Sequence, residues 1–258
     1  MRADGGAGVS PLVTLRGVDK AFKSGTVALQ NVDLDIRDGE FLSLLGPSGC
    51  GKSTVLRIVA GLTTITGGHV QWRGQPSLGF VFQEPTLAPW ADVFDNVWLP
   101  LRLKGASRRE ARASVEEALA NVGLTGFERA YPRELSGGMK MRVSIARALV
   151  LKPAVLLMDE PFAALDEITR AKLNDDLLNL RANLRTTIVF VTHSVYESVY
   201  LSTRICVMAP RPGRVVAEIA VDPVVKRDEE FRLGPYYADR AREASAALHA
   251  AMGGSKCA

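Results

Sequence analysis

The sequence predicts an α/β fold with a mainly parallel sheet, an antiparallel β portion near the N-terminus and an inserted α-helical subdomain. Three observations predict it. Phe41–Leu45, Leu78–Phe82, Val155–Met158 and Ile188–Val191 are short apolar runs without alternation, as in strands buried on both faces. Helical stretches separate them, the order of a parallel sheet with crossover helices. Between Glu84 and Pro153 the strand signals vanish and only helical periodicity remains.

In order along the chain, residues 1–10 read as a flexible lead-in without the apolar core of a secretory signal. Val32, Leu34 and Ile36 then alternate with Asp33, Asp35 and Arg37, a half-buried strand closed by an Asp38-Gly39 turn. The run Phe41–Leu45 leads into a helical stretch that ends at Gly61. The helical subdomain spans about 89–151. In it Ser107 and Glu110 form a capping box, Val115, Leu119 and Val122 make a stripe, and Gly123 stands where that helix stops. Met139, Val143, Ala146 and Leu149 make a second stripe, with Ser136 as N-cap. Leu173, Leu177, Leu180 and Leu184 mark a long amphipathic helix, and Val215 to Val221 offers a further antiparallel segment. The main domain covers 11–225. The tail, 226–258, is charged and then carries one helix, marked by Tyr237, Ala241, Ala244 and Leu248.

A chain of 258 residues can bury one large core or a core with a subdomain. With 47% hydrophobic and 23% charged residues, the composition is that of a soluble globular protein. A formal charge of +4, interspersed along the chain, does not indicate a nucleic-acid partner. Cys50, Cys206 and Cys257 lack metal-ligand or framework spacing, which points to a reduced, intracellular chain. No apolar stretch reaches the ~18 residues of a spanning helix, so a membrane role requires a partner chain.

Residues 46–53, GPSGCGKS, match the phosphate-binding loop G-x-x-x-x-G-K-[ST], after a buried run and before a helix, as the motif requires. Its glycines let backbone N–H groups wrap phosphates, Lys52 adds a point charge, and the Ser53 hydroxyl suits Mg²⁺. At the end of another run, VLLMDEP supplies Asp159 to hold Mg²⁺ and Glu160 to accept a proton from attacking water; Pro161 is expected to keep Glu160 extended. Gln83 and His193 close two further runs, where ligand residues of open α/β sheets gather. Ser194 and Glu197 form a capping box that leaves the imidazole free as a γ-phosphate sensor. A second anion site is indicated by Ser136, Gly137 and Gly138, where glycine at a helix N-terminus admits close approach to unpaired N–H groups.

This set resembles the nucleotide-binding subunit of ATP-binding cassette (ABC) transporters, from about Leu12 to Val221, with a P-loop NTPase core. The resemblance implies an ATPase using ATP and Mg²⁺. It makes Gly46, Pro47, Ser48, Gly49, Cys50, Gly51, Lys52, Ser53 and Thr54 the Walker A loop, and Phe22 the aromatic stacked on adenine, where tyrosine is commoner. It makes Gln83 the glutamine contacting Mg²⁺ and the lytic water, Leu135–Met139 the signature, Asp159 and Glu160 Walker B and catalytic base, Ala164-Leu165-Asp166 part of the D-loop, and His193 the switch histidine. Met139 departs from the glutamine of many relatives. Two such subunits dimerise head to tail, so the resemblance gives the Ser136–Gly138 cradle its purpose: it closes over ATP held by the partner.

Phe80–Val97 and the signature look most like importers of the nitrate, sulfonate, taurine and bicarbonate group. That implies transmembrane permease subunits as partners, a solute-binding protein indirectly, and a peripheral place on the cytoplasmic side of the inner membrane. Trp90 suits either a permease contact or packing within the subdomain. A cassette acting on nucleic acid or ribosomes is the rival reading. Relatives that maintain chromosomes separate loop and signature by a long coiled coil, and translation-type relatives usually carry two cassettes, whereas one small subdomain separates Ser53 from Ser136 here. A simple phosphate-loop kinase leaves the signature, Glu160 and His193 without a role.

Overall fold

A computed structural model describes residues 10–183 and 186–253. Leu184, Cys257 and most of the lead-in lie outside the described residues. β1 (Pro11–Ala21), β2 (Val27–Arg37) and β4 (Gly67–Trp72) form an antiparallel sheet in the order β2-β1-β4. The second sheet has the order β5-β6-β7-β3-β8-β9, from β3 (Phe41–Leu45), β5 (Leu78–Val81), β6 (Val155–Asp159), β7 (Thr187–Thr192), β8 (Arg204–Ala209) and β9 (Arg214–Ala220). Its strands run parallel except β9, which is antiparallel to β8.

Both faces of this larger sheet are buried along β3, β6, β7 and β8, which is why those strands do not alternate in burial. Phe41, Leu156, Met158, Ile188 and Phe190 point into one hydrophobic cluster, while Leu42, Val155, Leu157, Val189 and Val191 point into another. The second cluster is completed by α1 (Lys52–Val59) and the antiparallel sheet. Against the first lie α2 (Val93–Leu103), α3 (Arg108–Asn121), α4 (Gly137–Leu149), α5 (Glu167–Asn183) and α6 (Val195–Leu201). The helices between 93 and 149 thus continue the core of the sheet. Local signals fix their ends: Ser107 and Glu110 make both bonds of the capping box, and Asp92 accepts from Asp95 N at 2.7 Å.

β1, β4 and β8 escaped the sequence reading as individual strands. β4, GGHVQW, opens with two glycines, and β8, RICVMA, opens with a charge. That charge is buried: Arg204 donates to Glu40 at 2.8 and 3.0 Å and to Glu218 at 2.8 Å. The tail holds two helices where one was expected, α7 (Glu229–Leu233) and α8 (Pro235–Gly253). Asp228 caps the first, accepting from Phe231 N at 3.0 Å, and Ala241 and Ala244 are buried against the core. No helix of the described residues is long and apolar enough to cross a membrane.

Candidate functional site

The parallel strands bring their carboxyl ends to one edge, and with them the residues that follow β3, β5, β6 and β7. Residues 46–51 turn from β3 into α1. Gly46 has no room for a side chain, because a Cβ there would lie 2.6 Å from Cys50 Sγ and 2.8 Å from Met208 O. Gly51 combines φ +90° with a would-be Cβ only 2.5 Å from Leu29 Cδ2, so the turn requires glycine on both counts. Burial raises the Cys50 thiol above its ordinary value and keeps it protonated.

Lys52 is 4% exposed and its Nζ donates to Gly46 O at 2.8 Å and Pro47 O at 3.1 Å, with Glu160 Oε1 at 3.3 Å. Ser53 Oγ donates to Asp159 Oδ1 at 2.6 Å. Burial raises the Asp159 carboxyl above the ordinary 3.8, outweighing the Ser53 hydrogen bond and the nearby Arg57 and Lys52 charges. The second carboxylate oxygen of Glu160 lies 3.0 Å from His193 Nδ1. Ammonium, two carboxylates, hydroxyl and imidazole are therefore within one connected group.

Glu160 is not extended as the following proline suggested. Its φ is +44°, in the left-handed region, and its N–H donates to Val191 O at 3.1 Å. The neighbouring strand thus holds a strained backbone beside the reactive groups. Behind His193 only half of the expected capping box forms. Ser194 Oγ accepts from Glu197 N at 3.3 Å, but the Glu197 carboxylate accepts from Thr192 Oγ1 at 2.5 Å instead of returning to the cap.

Comparison with known proteins decides what this group belongs to. The ABC transporter family model matches residues 29–163. The aliphatic sulfonates import ATP-binding protein SsuB 1 of Pseudomonas syringae pv. syringae is 49% identical over 217 residues, covering 84% of this chain and 89% of that protein. The taurine import ATP-binding protein TauB of Rhizobium johnstonii is 43% identical over 233 residues, covering 86% and 89%. A solved dimeric ATP-binding cassette in a post-hydrolysis state, bound to ADP and Pi, superposes with a TM-score of 0.71 at 36% identity, covering 81% of this chain and 99% of that one. The chain belongs to the ABC transporter family.

It is an ATP-binding, ATP-hydrolysing cassette of that family, and its other expected site residues stand as follows. Pro47 and Thr54 are half-buried, while Ser48 and Gly49 are exposed at the mouth of the loop. Phe22 is 44% exposed at the β1–β2 turn, with Lys20 Nζ 5.2 Å from its ring centre. Gln83 is exposed just past β5 and makes no side-chain hydrogen bond among the described residues. Asp166 is occupied within its own chain: Oδ1 accepts from Thr169 N at 2.9 Å, and that backbone bond leads in lowering its pKa.

Ser136 and Gly137 are exposed at the start of α4, with Ser136 Oγ accepting from Met139 N at 3.3 Å. Gly138 follows in the first turn of α4. It is buried, and a Cβ there would lie 2.8 Å from Thr169 Cγ2 of α5, so its smallness serves packing within the chain. Gly137 keeps the open face, with only Leu165 Cδ2 near, at 3.5 Å. A side chain on either glycine would meet Leu165, Thr169 or Leu173 of the same chain.

Sequence reasoning missed Arg147. Its guanidinium donates to Pro85 O at 2.8 Å and Thr86 O at 2.9 Å, tying α4 to the segment behind Gln83. A cation in the last turn of a helix whose neighbours are buried was the available signal. It missed Gly213 too, which fits under the phosphate loop: a Cβ there would stand 2.2 Å from Cys50 O.

Proposed function

We propose that this cassette is the motor of an importer. Two copies close head to tail over ATP, on the cytoplasmic face of the inner membrane, against transmembrane permease subunits that receive solute from a binding protein. The connected group Lys52–Glu160–His193 with Ser53–Asp159 carries this reading. In the resting geometry Lys52 rests on loop carbonyls and on Glu160, so nucleotide phosphates replace those contacts and release the carboxylate. Glu160 then takes a proton from the attacking water, a role worth ~10²–10⁴ in rate. His193, half-exposed beside it, orients that water or the γ-phosphate, and Gln83 swings in from the adjacent strand end.

Mg²⁺ fits the donors present: it favours one or two carboxylate or hydroxyl oxygens completed by water and phosphate. Ser53 and Asp159 offer those oxygens, held 2.6 Å apart at the root of the phosphate loop. The ion would neutralise charge on the transferring phosphoryl group.

Ser136, Gly137 and Gly138, at the N-terminus of α4, make the cradle for the partner's γ-phosphate, and Phe22 receives adenine. Trp90 is 81% exposed, which favours the permease contact over packing inside the subdomain. We assign residues 11–225 to the ATPase domain, 89–151 to its helical part and 226–258 to a tail that buttresses it. The relatives named for aliphatic sulfonates and for taurine share a sulfonate group, and a small sulfonate is the cargo we favour, recognised outside this chain.

A covalently linked heterodimer tests the shared sites. One half carries Lys52→Ala, the other Ser136→Arg, and both carry Glu160→Gln to trap ATP. Shared sites leave one whole site and about one occluded ATP per linked dimer. None, in a folded linked protein, refutes the arrangement.

A further inference from the structure

Glu160 and His193 line one narrow space together with Arg170 of α5 and Glu197 of α6. Each of the latter two grips a loop of the site. Arg170 Nη2 donates to Leu165 O at 2.9 Å, in the segment that touches Gly137. Glu197 Oε2 accepts from Thr192 Oγ1 at 2.5 Å, and the same hydroxyl oxygen accepts from Ser194 N at 3.0 Å, so the two residues flanking His193 are held together.

The inner atoms of this pair do not meet. Arg170 Nε and Glu197 Oε1 are 3.8 Å apart, beyond hydrogen-bond range, and among the described residues neither buried atom has a hydrogen-bond partner. Asn174 Oδ1 of α5, 6% exposed, is likewise unpartnered. Buried polar atoms left this way are costly, and charged ones more so. The chain closes such a pair where it serves only structure: Arg204 meets Glu40 at 2.8 and 3.0 Å, and both are more than nine-tenths buried. The Arg170–Glu197 gap is thus a local feature, and about 1 Å of approach would satisfy both atoms.

We propose that Arg170 and Glu197 form a latch between the Leu165 segment and the His193 turn, and that it tightens when ATP draws the two together. Both are positioning residues. Closure keeps the imidazole on Glu160 and couples it to the Leu165 segment, which abuts this chain's own signature at Gly137. The inference rests on the reading of Glu160 and His193 given above.

The test is a double-mutant cycle on the full-length cassette, with ATPase kinetics and fluorescent-nucleotide binding measured on each variant. Glu197→Gln keeps the shape and the Thr192 contact but removes the charge. Arg170→Lys keeps the charge but loses the planar fork that places Nη2 on Leu165 O while Nε faces Glu197. Each single variant is expected to lower kcat about tenfold, the size of a typical coupling between sites, with KM and nucleotide affinity unchanged. The double variant should be no slower than the slower single one. Retained nucleotide affinity identifies folded protein, so a fall in melting temperature with parental kcat per binding-competent molecule overturns the latch. So do losses that multiply in the double variant. Glu160→Gln, run beside them, separates the two levels: parental turnover in that variant removes the site reading itself, and with it the latch.

Discussion

Gly213→Ala isolates the support beneath the phosphate loop. The new Cβ would stand 2.2 Å from Cys50 O, 2.8 Å from Ala28 O and 3.0 Å from Leu29 Cδ2. Two of these are backbone atoms, which cannot rotate away, and Gly213 is not in the left-handed region, so space alone is violated. Reaching ordinary contact requires a displacement of about 1 Å. Overpacking of this kind costs ~1–3 kcal/mol, and ~2–4 °C in Tm per kcal/mol is usual for a chain approaching this size, which gives a fall of roughly 2–12 °C. A reacting group misplaced by ~1 Å loses about 10²-fold in rate. The expected outcome is a modest drop in Tm with a disproportionate loss of kcat/KM for ATP. Gly25→Ala is the control: it strains a φ of +84° with nothing within 4 Å, so it lowers Tm without touching the loop. Thermal melts and a coupled ATPase assay, corrected for folded fraction, decide it. Parental kcat/KM in Gly213→Ala would refute the buttress.

Asp159→Asn should stabilise the nucleotide-free protein at neutral pH while abolishing turnover. Its folded pKa is raised above 3.8, so ionisation costs stability that is present below 3.8 and lost as pH rises through the folded value. Relative to the parent, the variant's Tm advantage should therefore grow with pH, and ATP with Mg²⁺ should no longer raise its Tm; a lower Tm at neutral pH contradicts the assignment. Trp90→Ala should leave ATPase of the isolated chain intact and weaken co-purification with the permease, since an 81% exposed side chain contributes little packing. Loss of folding without specific loss of association would return Trp90 to the core.

The legible parts of the site were those whose chemistry is local in sequence. The loop, Asp159, Glu160 and His193 each follow a strand recognisable by its apolar run, and parallel pairing in register then brings them to one edge. What escaped depends on partners far along the chain. Arg204 hides a strand because its charge is neutralised by Glu40 and Glu218, distant in sequence. Glu197 reads as a capping residue until Thr192 captures its carboxylate, and Glu160 reads as extended until Val191 O fixes its N–H. Gly138 reads as a ligand opening, and its packing role, making room for Thr169 of α5, appears only in the fold.

The strand order sets a schedule for synthesis. β3, which delivers the phosphate loop, pairs with β7 and β8, more than 140 residues downstream. Met208 O and Gly213, which close around residues 46–51, emerge later still. A ribosome adding ~5–20 residues per second therefore exposes the loop well before its frame exists. Nascent chains ending before β8 lack the surface that shapes the loop, so nucleotide capture begins only once nearly the whole cassette has left the exit tunnel.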